Sequence, residues 1–182
     1  MIVVTAGLAD KKFNAIMKKG GNGTLSILEV QTQNAAFLGD EPDLVLVTGQ
    51  KIEQISCRNA VFLVRGHSSM PEKFCCEQAV AVVDSSDQSL LEQVAQHHIK
   101  ALTCGLASVD TLTLSSFTTD SAVISLQRQI EAFDGTMLEP FELPVSFSTH
   151  VEPFSLLSCA AVFCFLGKKN PLINCKLWEL QG

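Results

Sequence analysis

The stretch from residue 101 to residue 145 reads ALTCGLASVDTLTLSSFTTDSAVISLQRQIEAFDGTMLEPFELPV, and its order of elements decides the fold. A short apolar strand ends at Gly105. After it, hydrophobic residues alternate with Thr, Ser and Gln, which is the period-two pattern of half-buried antiparallel strands. Asp134-Gly135 is a strong hairpin signal between two such segments. We therefore predict an antiparallel meander, closed by the apolar helix of residues 154–167.

The strand that returns from this hairpin carries two prolines. Pro140 and Pro144 fall on one face of it, and the other face is apolar: Met137, Phe141, Leu143, Val145 and Phe147. Because proline cannot donate a hydrogen bond to a neighbouring strand, the sequence predicts that this strand lies at the edge of its sheet.

The first half of the chain has a different pattern. Residues 43–48, 60–64 and 79–83 are continuous, Val-rich apolar runs, which are typical of parallel strands buried on both faces. Further strands are predicted at 2–5, 24–30 and 101–104, and helices at 10–19 and 89–98. A capping box of Ser89 and Glu92 opens the second helix. The fold class predicted is α/β, with a mainly parallel sheet flanked by helices and a C-terminal antiparallel meander.

Composition narrows the class of protein further. The chain has 182 residues, which fits one domain: a parallel part over 1–105, then the meander and closing helix over 106–182. A net charge of −6 without a basic face argues against a nucleic-acid partner. The longest apolar stretch, 154–166, is too short to span a bilayer. Seven cysteines, several inside apolar runs, indicate reduced thiols, and we expect a cytoplasmic protein.

Four segments resemble the central, nucleotide-binding domain of the Mur ligases, the ATP-dependent amide ligases of bacterial peptidoglycan precursor synthesis. These segments are ILEVQT at 27–32, LVLVTG at 44–49, VVDSSD at 82–87 and LTCG at 102–105. The meander and the closing helix look similar too. The resemblance implies a Mur-ligase-like central domain and a link to cell-wall precursor metabolism.

The resemblance also implies a phosphate-binding loop after the first strand, and the sequence departs from it there. Residues 4–12 read VTAGLADKK and lack the Gly-Lys-Ser/Thr ending that holds phosphates and Mg²⁺. The family's UDP-substrate domain and C-terminal ligase domain have no counterpart in the sequence. We therefore expect a shortened, non-catalytic member of the family, a pseudoenzyme in which ATP-dependent ligation is lost. We expect no catalytic residues and no cofactor. Bound ATP with Mg²⁺ is the alternative.

Candidate ligand-binding residues follow from the strand ends and from the matched segments: Thr5, Gly7, Lys11, Glu29, Thr48 and Asp84. Ligands of open α/β sheets bind where parallel strands end. Each candidate also has a structural explanation. The turn after Val4 is either a decayed phosphate loop or a plain strand-to-helix turn, and Glu29 is either a magnesium ligand or a solvated carboxylate. Asp84 and Asp87 are more typical of caps before a helix than of cation ligands.

No metal site is predicted. His67, Cys57 and the adjacent Cys75-Cys76 match no known zinc spacing. The function expected is the binding of a protein partner or a small ligand in the cytosol. Two alternatives stay open: a nucleotide-binding enzyme, amide ligase or hydrolase, that works with a partner, and a structural subunit that forms a homo-oligomer.

Overall fold

The structure is a computed structural model that describes residues 1–6, 11–21, 23–31, 35–36, 41–49, 51–66 and 70–180. These residues divide between two compact units. The first unit comprises Met1–Ala9 and Leu25–Leu102, and the second comprises Asp10–Thr24 and Thr103–Gly182. Within the described ranges, every helix is too short or too polar to cross a membrane.

The described α-helices are α1 (Lys11–Gly20), α2 (Gln88–Gln96) and α3 (Pro153–Phe165). The strands are β1 (Ile2–Ala6), β2 (Ile27–Gln31), β3 (Ala35–Ala36), β4 (Leu44–Gly49), β5 (Gln54–Val64), β6 (Lys73–Asp84), β7 (Lys100–Gly105), β8 (Leu112–Phe117), β9 (Ser121–Leu126), β10 (Ile130–Glu131), β11 (Met137–Leu138), β12 (Phe141–Phe147) and β13 (Trp178–Leu180). The helix predicted at 10–19 is α1. Its predicted first residue, Asp10, lies outside the described residues.

The first unit is built on parallel strands, as its continuous apolar runs predict. Its strand order is β7-β6-β5-β1-β4-β2-β3. The pairs β1–β4, β1–β5, β2–β4 and β5–β6 are parallel, and β3 runs antiparallel to β2. Both faces of the central strands are buried: Val3 and Val61 on one face and Val4 on the other are at most 1% exposed. The continuous apolar runs therefore correctly predicted strands that are buried on both faces.

Helix α2 covers one of these faces. Leu90 and Val94, four residues apart on α2, pack into a cluster with side chains of β1, β5 and β6 that include Val4, Phe62 and Val83. Spacing of three or four residues places side chains on the same side of a helix, so a short helix can seal this face with two large residues.

The second unit contains the predicted meander. Strands β8, β9 and β12 pair antiparallel, and the end of β7 pairs parallel with β8 at Cys104 and Gly105. The prediction that the proline-bearing return strand is an edge is wrong. Strand β13 pairs with its outer side in parallel, with Val145 opposite Trp178 and Phe147 opposite Leu180. Pro144 lies immediately before this paired stretch, so no hydrogen bond to β13 is lost at the proline.

The predicted hairpin forms around Asp134 and Gly135. Its strands, β10 and β11, have two residues each and make a ladder of their own, with Glu131 opposite Met137. Gly135 has a φ of 83°, which glycine adopts without the steric penalty of a Cβ atom. The return strand is therefore interrupted after Leu138 and resumes at Phe141.

Helix α3 is apolar on all sides because it is buried on all sides. Residues from Phe154 to Phe165 are all buried. Its first turn is capped by Glu152, whose carboxylate accepts hydrogen bonds from the backbone N–H groups of Phe154 (3.1 Å) and Ser155 (2.8 Å). Helix α1 packs against α3 and β13 within the same unit.

Candidate ligand-binding site

Two of the predicted site residues lie side by side at the carboxyl ends of parallel strands. Thr5 of β1 is the Cα partner of Thr48 of β4, so both side chains lie on the same face of the sheet. Thr48 is 9% exposed. Gly7, the third residue proposed for this edge, lies outside the described residues.

Glu29 shares this face, but it does not stand at the strand end where the sequence placed it. It is opposite Leu46, two residues before the end of β2, and Gln31 is opposite Thr48. The side-chain amide of Gln31 donates a hydrogen bond to Oε1 of Glu29 over 3.1 Å. Thr5, Thr48 and Glu29 therefore form one polar strip on the first unit, with the Glu29 carboxylate already engaged.

Asp84 acts as a turn residue, as the structural explanation predicts. Its Oδ1 accepts hydrogen bonds from the backbone N–H of Ser86 (3.0 Å) and from its hydroxyl (2.6 Å) at the end of β6. Asp87 then caps α2, because its Oδ1 accepts from the N–H groups of Ser89 (3.1 Å) and Leu90 (3.4 Å). The predicted capping box is wrong: the cap lies two residues before Ser89, and Ser89 donates its hydroxyl to Asp87.

We expect Asp87→Ala to lower the free energy of unfolding by about 1 kcal/mol, since two N–H groups of the first turn lose their acceptor. Chemical denaturation followed by circular dichroism measures this change. Asp87→Asn is the matched control, because its amide oxygen still accepts both hydrogen bonds. Equal stability of the alanine and wild-type proteins would show that water replaces the cap without loss.

Metal ligands do not gather in the part of the chain that the structure describes. No group of three or more His, Cys, Asp or Glu side chains is placed to hold an ion there. His67 of the rejected zinc combination lies outside the described residues. The carboxylate of Asp84 accepts hydrogen bonds in the turn, and that of Asp87 accepts them in the helix cap. The connection between β6 and α2 therefore has a structural role.

Lys11 belongs to the second unit, where it lines a groove that the sequence did not predict. The groove has a volume of about 220 Å³ and lies between α1, the segment before α3, and β13. Its lining residues are Lys11, Lys12, Ala15, Ile16, Lys19, Thr149, His150, Val151 and Leu180. We call it the lysine groove.

The lysine groove is positively charged. It is lined by three lysines and a histidine, and none of its described lining residues is acidic. Among the ion pairs of the described residues, neither Lys11 nor Lys19 takes part. Ammonium groups gathered around a partly apolar floor attract anions, because the low-dielectric wall strengthens their combined field. The arrangement suits a phosphate or carboxylate group better than a neutral ligand.

Helical spacing indicates from the sequence which lysines share one side of α1, but it does not reveal the groove. Lys12, Ile16 and Lys19 follow each other at intervals of four and three residues, which places them on one side of α1. The partners from residues 149–151 and Leu180 come from far along the chain, and only packing of α1 against β13 brings them near. Read along the sequence, the lysines look like two isolated pairs.

Comparisons with known proteins give a fold and no closer relation. No protein-family model matches the chain, and no curated protein matches its sequence. A solved structure of MurF ligase from Thermotoga maritima in complex with ADP is similar, at 16% identity and a TM-score of 0.48, over 96% of this chain and 44% of that one. MurF from Acinetobacter baumannii matches at 10% identity and a TM-score of 0.57, again over 96% and 44%.

The second similarity confirms the predicted fold class. The chain has a Mur-ligase-like α/β fold, in which a mainly parallel sheet with helices carries additional antiparallel strands. The chain spans less than half the length of either solved structure. At these identities the similarity describes the fold alone.

Proposed function

We propose that this chain is a non-catalytic Mur-ligase-like domain that binds an anionic small ligand, and that it serves cell-wall precursor metabolism in the cytosol. The lysine groove carries the proposal, because it gathers three cationic side chains and no described acid around a concave surface. The link to the cell wall rests on the similarity of fold to MurF.

The non-catalytic part of the proposal is supported by the sequence and by the hydrogen bonds. Residues 4–12 lack the Gly-Lys-Ser/Thr ending that positions phosphates and Mg²⁺ for phosphoryl transfer. Asp84 accepts hydrogen bonds from Ser86, and Glu29 accepts one from Gln31. Carboxylates held in this way are poor candidates for a magnesium site, which needs several oxygen ligands around one ion.

The size of the lysine groove limits the ligand. A volume of about 220 Å³ is below the range of about 300–1,000 Å³ that is usual for drug-sized ligands. The groove therefore accommodates the anionic group of a larger molecule, or a small acid as a whole. Lysine binds such groups as a point charge, so the site selects for charge more than for shape.

Calorimetric titration with inorganic phosphate, ADP and Mg-ATP tests the proposal. We expect at least one of these anions to bind, and we expect Lys11→Ala/Lys19→Ala to weaken binding about tenfold or more, since two cations of the groove are removed. Added salt should weaken the binding of the wild-type protein as well. Lys18→Ala is the matched control, because Lys18 is an exposed lysine of the same helix that does not line the groove.

Two results would overturn the proposal. Release of ADP from Mg-ATP at a rate above the protein-free background contradicts the non-catalytic assignment. Binding that is as tight in the double variant as in the wild-type protein, or no binding of any of the three anions, contradicts the assignment of the lysine groove.

A second function, nucleotide binding by a residual enzyme, is favoured by the polar strip of the first unit. Thr5, Thr48 and Glu29 share one face near the carboxyl ends of neighbouring parallel strands, where ligands of α/β sheets bind. If Mg-ATP binding is lost in Thr48→Val and kept in Lys11→Ala/Lys19→Ala, and the wild-type protein also releases ADP above background, the nucleotide lies on the strip and this second function is correct.

A further inference from the structure

Two cysteines of the first unit face each other across neighbouring parallel strands. Cys57 of β5 is the Cα partner of Cys76 of β6, and their Sγ atoms are 3.6 Å apart. Both side chains are half-buried and free thiols. They pack at the margin of the cluster that includes Phe62 and Phe74, so the two sulfur atoms are close to each other and still near the protein surface.

The backbone geometry at this pair suits a disulfide bond. Neighbouring strands lie about 4.7–4.9 Å apart, and disulfides join Cα atoms about 4.4–6.8 Å apart. To bond, the sulfur atoms must approach from 3.6 Å to about 2.05 Å. Small rotations about the Cα–Cβ bonds of Cys57 and Cys76 achieve this without a shift of either strand.

Two exposed ion pairs accompany the register that places the two thiols opposite each other. Arg58 and Glu77 directly follow the two cysteines and form an ion pair over 3.3 Å. Lys51 and Glu72, just before the two strands, form another over 2.8 Å. A slip of one residue would turn the side chains of the shifted strand to the opposite face. The buried apolar ends of β5 and β6 therefore specify the register in which Cys57 meets Cys76, and the exposed ion pairs add little to it.

We propose that Cys57 and Cys76 form a reversible disulfide that links β5 to β6, with hydrogen peroxide as the oxidant and a dithiol as the reductant. One of the two sulfur atoms attacks the peroxide and takes one oxygen, which gives a sulfenic acid and one water. The other sulfur then displaces the hydroxyl group, which leaves with the proton of that second thiol as a second water. Two thiols and one peroxide thus yield one disulfide and two waters.

Burial, together with the hydrogen bond to Cys76, raises the pKa of Cys57 to about 11. A thiol with a raised pKa is mostly protonated at neutral pH and is a weak nucleophile. Because the two thiols share this hydrogen bond, either one can react with peroxide first, and the other then resolves the sulfenic acid.

Cys75 provides a test of specificity because it is adjacent to the pair and more exposed. It lies opposite Ser56, and side chains of successive strand residues point to opposite faces. The thiol of Cys75 therefore faces away from Cys57. Simple exposure would select Cys75 for oxidation, whereas strand geometry selects the facing pair of Cys57 and Cys76.

The experiment treats the full chain with hydrogen peroxide, blocks the remaining thiols and digests it with trypsin without reduction. In a Cys75→Ser protein, which leaves one cysteine in the peptide of residues 74–100, we expect that peptide linked to the peptide of residues 52–58. Treatment with dithiothreitol should release both. The disulfide should also raise the melting temperature by roughly 5 °C or more, as expected for a bond that closes a loop of this size.

Cys76→Ser should lose both the linked peptide and the peroxide-dependent shift in melting temperature. Cys57→Ala provides the same comparison should the serine variant fail to fold. The proposal is wrong if the wild-type link joins Cys75 to another cysteine, if dimers form in its place, or if Cys57 and Cys76 stay free or are overoxidised at peroxide levels that oxidise Cys75. This site lies outside the lysine groove, so its failure leaves the proposed function untouched.

Discussion

Gly20→Val is expected to lower the free energy of unfolding of the second unit by about 3 kcal/mol, the upper part of the usual range for overpacking a core. Gly20 is the last residue of α1, and a Cβ atom built there would overlap Cζ2 of the Trp178 indole and lie 3.0 Å from Cε2 of Phe163. Trp178 and Phe163 are 1% and 0% exposed, so neither ring has solvent to move into.

The sign of this effect separates packing from helix propensity. Replacing glycine inside a helix ordinarily stabilises it, by about 0.5–1 kcal/mol for alanine. At Gly20 the collision exceeds that gain. The ring planes of Phe163 and Trp178 meet edge-to-face, 64° apart with centroids at 5.7 Å, and a displacement of the indole disturbs this contact too. Lys18→Val, on the exposed side of the same helix, is the matched control and should change stability by less than about 1 kcal/mol.

A double-mutant cycle identifies Trp178 as the cause. Trp178→Phe removes the indole atoms that overlap a residue-20 Cβ atom and leaves the contact with Phe163 in place. It also breaks no internal hydrogen bond of the described chain, since the buried indole N–H has no partner there. We expect the cost of Gly20→Val, measured by urea denaturation, to fall by at least about 1 kcal/mol in the phenylalanine background. Strictly additive effects would mean that α1 does not approach the indole as closely as the structure indicates.

How much of the fold the sequence could predict depends on whether a residue pattern is local. The Val-rich runs identified β4, β5 and β6, because a strand that is buried on both faces needs an apolar residue at nearly every position. Strand β13 has no recognisable sequence pattern, because it has only three residues. It pairs with Val145–Phe147 of β12. When β13 is not foreseen, the prolines of β12 predict an edge strand.

The candidate site was harder to predict for the same reason. The apolar runs predict that strands end near Thr5 and Thr48, but they do not predict that these two strands are neighbours. The lysine groove could not be predicted, because it is assembled from α1, residues 149–151 and Leu180, which meet through tertiary packing. Asp84 could be predicted, because its hydrogen-bond partner Ser86 is only two residues away in the sequence. A short Asp-Ser pattern is enough to indicate such a turn.

Gly167→Ala is expected to destabilise the protein by about 3 kcal/mol, for two separate reasons. Gly167 follows α3 with a φ of 58°, and this left-handed conformation costs a residue with a Cβ atom about 1–2 kcal/mol. A Cβ atom there would also overlap the carboxylate of Asp134. That carboxylate accepts hydrogen bonds from the backbone N–H groups of Lys168 (2.9 Å) and Thr136 (3.0 Å), each worth about 1 kcal/mol.

Gly135→Ala separates the two causes. Gly135 has a φ of 83° and open space where a Cβ atom would stand, so its substitution incurs the conformational cost alone. We expect urea denaturation to give Gly135→Ala about half the loss of Gly167→Ala. In an Asp134→Ala background, the loss at Gly167 should fall to a similar value. Equal losses at the two glycines would mean that Asp134 moves aside without cost.

The stability that Asp134 supplies should depend on pH in a definite direction. The N–H groups of Lys168 and Thr136 hold the pKa of Asp134 below its ordinary value of 3.8. A carboxylate with a lowered pKa in the folded state contributes its full stability above the unfolded pKa and loses it as the pH falls through the folded one. The gap between wild type and Asp134→Ala should therefore be constant above about pH 5 and narrow in stronger acid. If the difference in unfolding free energy stays unchanged down to the acid unfolding transition, protonation of Asp134 leaves both hydrogen bonds intact. The contribution of Asp134 would then not depend on the charge of its carboxyl group.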